Sequence, residues 1–524
     1  MEVVQPRVRV FSEMWEVSPG PILINGYGST AGFRRVSDNQ TGVSVSRASG
    51  ILLHPTSLPG RYGIGDLGPD AYWFADWLAA AGQRIWQVLP LGPTGYGESP
   101  YQLLSSFAGN PLLLSLDRMV DRGWLSATDI RDVEGFPEDS VHFEAVIPAK
   151  TRLLRRAFEG FQPDGEFSAF CAGNTAWLND FARFMALKEA NDGVEWLKWD
   201  PRIEPNPEEI EYHKFLQFEF FRQWCALKDH CASLGIRLMG DIPIYVATDS
   251  SDVWARRELF RLDSVAGVPP DYFSATGQLW GNPLYRWDLL AKDGYRWWIE
   301  RMRATLRLFD LVRMDHFRGF QAYWEVPAAE TTAIRGQWVN GPGPSLFQAL
   351  EAALGPLPIV AENLGVITPE VEAIREQFGF PGMAVLQFAF GKDAQAPSFR
   401  PHNYVRNLVA YTGTHDNDTV MGWWGSGAGD STRTPEDVEA EKSRARAYLG
   451  TNGHDMNWIF IRTLMASVAN TVLFPVQDVL GLGVEARMNT PSVPSGNWRW
   501  RVRPGALTAK LAVRLKSMVE LYDR

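Results

Sequence analysis

Charged residues interrupt an apolar segment at residues 311–320, which reads "LVRMDHFRGF". Alternate residues of a β-strand point to the same face, so Arg313 and Asp315 would share one face while Met314 takes the other. An isolated pair of this kind is typical of a structural salt bridge. A carboxylate beside a fixed positive charge also stays ionised, however, as a nucleophile must. Acidic residues elsewhere in the chain are needed to decide between the two interpretations.

Three further predicted strands end in an acidic residue next to turn residues. These are Asp241 in "GDIPIYV", Glu362 in "AENLG" and Asp416 in "GTHDNDT". The carboxyl ends of the strands of a parallel barrel meet at one face, where the active sites of such barrels lie. Because like charges repel, four acids in one place favour a functional site over four independent structural roles.

Paired carboxyl groups on either side of a bond suit glycoside chemistry, one as nucleophile and the other as acid and then base. Glu362 follows the apolar "IVA", where desolvation would raise its pKa and keep it protonated as an acid. Asp416, beside His415, would bind sugar hydroxyls and stabilise an oxocarbenium-like transition state. A separation of about 5 to 5.5 Å between nucleophile and acid would give retention of configuration.

The elements that must position these acids alternate between strand and helix patterns. Near-continuous apolar runs of this kind are typical of parallel sheets covered on both faces, and their repetition over this length favours a (β/α)₈ TIM barrel over an open sheet. Helical periodicity separates several of the runs, as in "PDAYWFADWLAAAGQ" and "TPEVEAIREQF". The predicted strands lie in residues 50–60, 84–93, 236–246, 311–317, 358–366, 383–390 and 407–414.

Other parts of the chain break this rhythm. Residues 1–49 form an N-terminal extension to which we assign no function, and disorder is one interpretation of it. The catalytic barrel then occupies residues 50–524, with a mainly helical insertion at about 110–235 and a further insertion at about 255–290.

Composition limits the classes of function. The 524 residues carry a formal net charge of −10 and no long Lys/Arg run, which disfavours nucleic acid and membrane as partners. The three cysteines form no CxxC pair and no Cys/His cluster, so we predict no disulfide framework and no metal site. Even "WIFIRTLMASVANTVLF" is too short and too polar to span a bilayer. We expect a cytoplasmic protein, with organellar targeting by the N-terminal segment left open.

The chain resembles the 4-alpha-glucanotransferases known as amylomaltases or disproportionating enzymes, glycoside hydrolase family 77. The similarity covers nearly all residues after 49 and rests on long motifs in a fixed order: "GILLHPTSLPGRYGIGDLG", "SPYQ", "GDIPIYV", "GVPPDYFSATGQLWGNPLY", "RMDHFRGF", "AENLGVITPEV", "PGMAVLQFAF", "YTGTHDNDT", "QDVLGLG", "RMNTPS" and "GNWRWR". The resemblance implies a (β/α)₈ barrel that transfers segments of α-1,4-glucans with retention.

The resemblance also implies roles for individual residues. Asp315 is expected to be the nucleophile, Glu362 the acid/base and Asp416 the group that stabilises the transition state. "GVPPDYFSATGQLWGNP" resembles a mobile loop over the cleft, although Trp280 in it could simply pack that loop against the barrel. The residues expected to bind substrate are Tyr101, Asp241, Asp271, Trp280, Arg313, His316 and His415.

Three alternatives stay open. An α-glucan hydrolase would use the same residues, because water and a sugar hydroxyl need the same general base; the lack of a histidine soon after Asp241 weakens an ordinary amylase interpretation. A catalytically silent glucan-binding protein would not need the acid pair. A nucleotide-dependent glucosyltransferase would need a phosphate-binding motif, and we find neither a P-loop nor a convincing GxGxxG. We therefore predict that the protein acts on α-1,4-glucans and maltooligosaccharides without a cofactor. We make no prediction of its oligomeric state.

Overall fold

The structure is a computed structural model, and it describes residues 47–131, 133, 135–270, 274–427 and 434–524. The strands in these ranges are β1 (Ala48–Leu52), β2 (Ile85–Gln87), β3 (Arg237–Ile242), β4 (Phe260–Val268), β5 (Gln278–Tyr285), β6 (Leu311–Met314), β7 (Ala322–Pro327), β8 (Gln337–Asn340), β9 (Ile359–Ala361), β10 (Gly382–Val385), β11 (Leu408–Tyr411) and β12 (Thr471–Pro475).

The α-helices in the described ranges surround and extend the sheets. They are α1 (Pro69–Ala80), α2 (Leu116–Asp121), α3 (Phe143–Gly160), α4 (Gly165–Gly173), α5 (Leu178–Ala190), α6 (Pro207–Ser233), α7 (Ser251–Ala255), α8 (Trp287–Lys292), α9 (Arg296–Leu308), α10 (Pro344–Leu354), α11 (Pro369–Gln377), α12 (Val420–Gly425), α13 (Pro435–Leu449), α14 (Met456–Met465), α15 (Val476–Leu480) and α16 (Ala509–Leu521). Within these ranges, none of the helices combines the length and the apolar character needed to cross a membrane.

Eight parallel strands form the central sheet, in the order β10-β11-β12-β1-β2-β3-β6-β9. The two end strands also approach each other, because the N–H of Ala361 in β9 donates to the carbonyl of Pro381, just before β10, at 2.9 Å. The sheet therefore closes nearly into a barrel, and the predicted (β/α)₈ fold is confirmed.

The strands are short and buried because both of their faces pack. One set of side chains fills the barrel interior, including Ile85, Met239, Leu311 and Leu473. The other set packs against the surrounding helices. Gly240 allows this fit in β3, since a Cβ there would lie 2.1 Å from the ring of Phe309. That strand carries Asp241 at its next position.

A second, antiparallel sheet has the strand order β5-β4-β7-β8. The sequence pattern did not indicate it. Part of the segment expected to be a loop over the cleft is instead the antiparallel pair of β4 and β5; residues 271–273, between the two strands in the sequence, lie outside the described ranges. β7 and β8, which follow β6, complete this sheet.

Residues 456–475 also differ from the sequence interpretation. The apolar run there contains two elements, α14 and then β12, which is the eighth barrel strand and was not predicted. Only a short connection separates them, so the run has no clear internal boundary in the sequence.

Candidate active site

Arg313 is the centre of the charged cluster at the carboxyl ends of the strands. The strand register places Asp241 of β3 directly beside Arg313 of β6. Arg313 Nη1 donates to both oxygens of Asp241, at 2.8 and 3.0 Å, and its Nη2 lies 2.9 Å from Asp315 Oδ1. The predicted contact between Arg313 and Asp315 is therefore present, and the guanidinium joins two carboxylates from adjacent strands.

Asp315 lies one residue beyond β6 and faces the cleft. Its backbone N–H donates to the carbonyl of Ile242 at 3.0 Å, which fixes the strand end. The Asp315 side chain is 26% exposed, whereas that of Asp241 is fully buried. Of the two carboxylates bound by Arg313, only that of Asp315 is exposed. Asp241 binds Arg313 and Tyr101, and its expected contact with substrate stays a prediction.

Glu362 follows β9 and is nearly buried. Its Oε2 accepts the backbone N–H of His316 at 2.7 Å, and its Oε1 accepts the N–H of Leu364 at 2.9 Å. The pKa of Glu362 is raised to about 7. Burial is the largest cause and the charge of Asp315 adds to it, while Arg313 and the two backbone hydrogen bonds oppose it. Glu362 is therefore protonated at mildly acidic pH and can release its proton near neutrality, as a group that serves as acid and then base must.

His316 has a backbone conformation that non-glycine residues rarely adopt. Its φ is +48°, in the left-handed region, which is costly unless the surrounding contacts maintain it. The hydrogen bond from the backbone N–H of His316 to Glu362 is one of those contacts. The His316 ring meets the ring of Trp280 edge to face at 4.8 Å between centroids. Burial lowers the pKa of His316 to about 4, so the imidazole is neutral at physiological pH.

Asp416 lies on the other side of the cluster, after β11. Its Oδ1 is 3.4 Å from His415 Nε2 and accepts the side-chain N–H of Asn489 at 2.7 Å. Burial in the cleft disfavours the charge, but His415, Asn489 and Arg313 outweigh it and hold the pKa of Asp416 well below its usual range. Asp416 is thus a permanent negative charge about half exposed to the cleft.

Tyr101 connects the two sides of the cluster. Its hydroxyl is 3.0 Å from Asp241 Oδ2, to which it donates, and 3.4 Å from His415 Nδ1. Its ring stacks on the ring of His415 at 4.9 Å between centroids. Burial and the neighbouring Asp241 raise the pKa of Tyr101 well above its usual value, so the hydroxyl keeps its proton.

Two residues at this site were not singled out from the sequence. Asn489 donates to Asp416, and Arg487 Nη2 donates to the Asp416 backbone carbonyl at 2.8 Å. Both lie in or beside "RMNTPS", a motif noted only for its family resemblance. A polar residue in a loop with no periodicity gives no local signal of its function.

His54 is the third residue that was missed. It lines a pocket beside His415, together with Asp418 and Arg487. Burial and the nearby His415 lower the pKa of His54 to about 3, and its Nδ1 has no hydrogen-bond partner among the described residues. His54 follows β1 in "GILLHPTSLPG", and a strand-end position was its only available signal.

The contacts thus bring together nearly all the residues expected to act on substrate. Asp271 lies outside the described residues. The residues that the contacts join are Tyr101, Asp241, Trp280, Arg313, Asp315, His316, Glu362, His415 and Asp416.

One group of possible metal ligands occurs in the part of the chain that the structure describes. Glu189, Glu209 and His213 place ligand atoms within 4.8 Å of one another. Arg155, however, binds Glu189 at 2.6 Å and Glu209 at 2.7 Å. A cation would have to displace this guanidinium, so the group is an ion-pair network of the helical region.

Comparison with known proteins decides the family. A sequence profile of the family described as 4-alpha-glucanotransferase matches residues 53–508. The chain belongs to the 4-alpha-glucanotransferase family. Its relatives include the 4-alpha-glucanotransferase of Thermus thermophilus, which is 48% identical over 92% of this chain and 100% of the relative. The chloroplastic/amyloplastic 4-alpha-glucanotransferase of Solanum tuberosum is 41% identical over 91% of this chain and 86% of the relative.

A solved structure of the family agrees with this assignment. The amylomaltase from Streptococcus agalactiae in complex with acarbose has a TM-score of 0.86 and 38% identity, and the match covers 91% of this chain and 99% of that one. The predicted family and enzyme class are confirmed, and the cluster around Arg313 is the candidate active site of this 4-alpha-glucanotransferase.

Proposed function

We propose that the chain transfers segments of α-1,4-glucans to the 4-hydroxyl of glucose or of another α-1,4-glucan, by a retaining double displacement. One observation carries the assignment of roles. Arg313 forms an ion pair with Asp315 at 2.9 Å, whereas Glu362 is bound by neutral backbone N–H groups and burial raises its pKa to about 7. A carboxyl group whose pKa is raised, adjacent to a carboxylate paired with a guanidinium, is what an acid and a nucleophile require.

In the first step, Asp315 attacks the anomeric carbon of the donor. The bond to the leaving oxygen breaks as Glu362 gives that oxygen its proton, and an ester between Asp315 and the sugar forms. Asp416, held ionised by His415, Asn489 and Arg313, stabilises the positive charge that develops on the sugar ring.

In the second step, Glu362 removes a proton from the acceptor 4-hydroxyl, which attacks the ester and releases Asp315. The esterified Asp315 no longer carries the negative charge that raises the pKa of Glu362. The pKa of Glu362 therefore falls when the enzyme needs a base, and it rises again when the ester is cleaved.

The choice of acceptor does not follow from the acids, because water can use the same base. Family membership favours a glucan acceptor. The neutral ring of His316 contacts the indole of Trp280, and the backbone N–H of His316 binds Glu362. Aromatic rings this close in the chain to the acid/base would limit the access of water.

Incubation of the purified protein with maltotriose alone tests this proposal. We expect glucose together with a ladder of longer maltooligosaccharides, without a nucleotide sugar and without added metal. A mixture containing only shorter sugars would show a hydrolase instead, and unchanged maltotriose would refute both activities. Asp315→Asn is the inactive control, with circular dichroism to verify its fold.

We further propose that residues 50–524 form one catalytic unit with the mainly helical region at about 110–235 as an insertion, and that the protein acts in the cytoplasm. The potato relative is named chloroplastic/amyloplastic. Fractionation of the source cells with an antibody to the purified protein distinguishes the cytoplasm from an organelle.

A further inference from the structure

Arg318 is a half-buried arginine without an acidic partner. It lies in the 3₁₀ turn Phe317–Phe320, two residues after His316. Its Nη1 donates to the backbone carbonyl of Val366, its Nε has no hydrogen-bond partner, and it makes no ion pair with any Asp or Glu in the described ranges. Burial lowers the pKa of Arg318. A partly desolvated guanidinium with unused donors is unfavourable unless something else accepts its hydrogen bonds.

The guanidinium of Arg318 stacks on an exposed tryptophan. Its Cζ lies 4.0 Å from the ring centroid of Trp338. Trp338 is on β8, at the edge of the second sheet, and 42% of it is exposed. The ring of Trp324 meets it at 66° and 5.3 Å between centroids, which fixes its orientation. Together these residues form an oriented, partly exposed aromatic surface beside a guanidinium.

The position of this pair relative to Glu362 indicates which part of a glucan would reach it. Arg318 lies two residues after His316, whose backbone N–H binds Glu362. The charge of Arg318 contributes to the lowered pKa of His316. Val366, which accepts from Arg318, is four residues after Glu362 and is 63% exposed. Glu362 acts on the oxygen of the leaving or incoming sugar, so a glucan that extends from this oxygen toward Arg318 would be an acceptor or a leaving chain.

We propose that Arg318 and Trp338 form a remote acceptor subsite for α-1,4-glucans. A glucose ring has apolar faces that pack on an aromatic ring and hydroxyl groups that accept hydrogen bonds, so it matches both features of the pair. The proposal rests on the proposed function, since it extends the acceptor side of that reaction. It implies that longer acceptors bind more tightly than glucose, which can reach only the position next to Glu362.

Acceptor kinetics test the subsite. Unlabelled soluble starch serves as the donor, and isotope-labelled glucose, maltose, maltotriose, maltotetraose and maltopentaose serve as acceptors. In Trp338→Ala we expect the ratio of KM for maltopentaose to KM for glucose to rise about tenfold, which corresponds to about 1.4 kcal/mol. Trp338→Phe retains a flat ring and is expected to recover most of that loss. The shortest acceptor whose KM responds gives the distance of the subsite from the reacting bond.

Matched variants separate binding from general damage. Trp73→Ala removes a similarly exposed tryptophan (40%) from α1, and Arg514→Gln breaks a comparable arginine–tryptophan contact, with Trp458, at 3.8 Å. Both should leave the KM ratio at its wild-type value.

The outcomes distinguish this proposal from the proposed function. A Trp338→Ala ratio equal to that of wild type, or an equal rise of KM for glucose and maltopentaose, would overturn the subsite while the transfer activity stands. A wild-type protein that transfers glucan to none of the five labelled acceptors would overturn the proposed function, and with it the subsite.

Discussion

Replacement of Glu362 by glutamine removes the acid/base with little change of shape. Glutamine Oε1 can still accept one backbone N–H, but its amide nitrogen cannot accept the other. General acid catalysis contributes about 10²- to 10⁴-fold to a rate. We therefore expect kcat/KM for maltotriose to fall about 10³-fold, which is about 4 kcal/mol of activation free energy.

The leaving group makes this prediction specific. The sugar that leaves maltotriose needs a proton, whereas the fluoride of an α-maltosyl fluoride donor leaves with little assistance. The first step of Glu362→Gln with the fluoride should fall by less than about tenfold, well below the usual effect of a general acid. Because the variant also lacks the base of the second step, the maltosyl ester of Asp315 should accumulate and be visible by mass spectrometry of the intact protein.

The pH dependence provides an independent measurement. With a pKa of about 7, Glu362 is mostly protonated at pH 6 and mostly ionised at pH 8. In the wild-type enzyme, kcat/KM for maltotriose should fall about tenfold for each pH unit above this pKa. That decline should be absent when fluoride release is followed in the first step.

Matched measurements can refute this reasoning. Glu376→Gln removes a surface carboxylate, 69% exposed, that pairs with Arg375 at 3.3 Å, and it should behave as wild type. Equal losses of Glu362→Gln on maltotriose and on the fluoride would exclude an acid role for Glu362. A wild-type profile that stays level well above pH 8 would also contradict the raised pKa.

Three further predictions use other properties of the site. Because folding raises the pKa of Glu362, this residue stabilises the folded wild-type protein less and less as the pH rises from about 4.5 to about 7. Glu362→Gln lacks this loss, so its free energy of unfolding should increase relative to that of wild type by about 3 kcal/mol between pH 5 and pH 8. Calorimetry should show this as a change of about 3 °C in the difference between the two Tm values. Asn489→Ala removes the hydrogen bond to Asp416 and should raise its pKa, so kcat should fall about ten- to a hundredfold with a new loss of activity at acid pH; unchanged rates would show that the bond is dispensable. Trp280→Ala should weaken the binding of long glucans more than that of maltose in calorimetry, and equal losses would indicate that Trp280 only packs against His316.

The barrel and its acids were predictable because each has a local sequence signal. Seven of the barrel strands are apolar runs bounded by turn residues, and Asp241, Asp315 and Glu362 lie at or beside the ends of three of them. β12 was missed because α14 and β12 form one apolar run in the sequence. The second sheet was missed because its pairing is not local: β4 pairs with β7, about sixty residues further along the chain.

The parts of the site that were not predicted were missed for the same reason: their contacts are not local in the sequence. Asn489 reaches Asp416 across 73 residues of sequence, and only the folded barrel brings the two together. The left-handed backbone of His316 also has no sequence signal, since glycine or asparagine is the usual residue there. That conformation aims the N–H of His316 at Glu362, and the surrounding tertiary contacts determine it.

The direction of the Arg313 guanidinium distinguishes Glu362 from the two carboxylates that lie against it. Arg313 lowers the pKa of Glu362 as well as binding Asp241 and Asp315, so proximity to its charge alone would leave all three ionised. Its Nη1 is directed at Asp241 and its Nη2 at Asp315, which leaves Glu362 with two neutral backbone donors. Burial therefore prevails at Glu362, whose pKa is raised to about 7, and it also raises the pKa of Asp241 in spite of the two hydrogen bonds from Arg313. Asp315, more exposed, forms an ion pair with Arg313 at 2.9 Å. A lysine at position 313 would preserve the positive charge but not the planar fork that divides it between two strands.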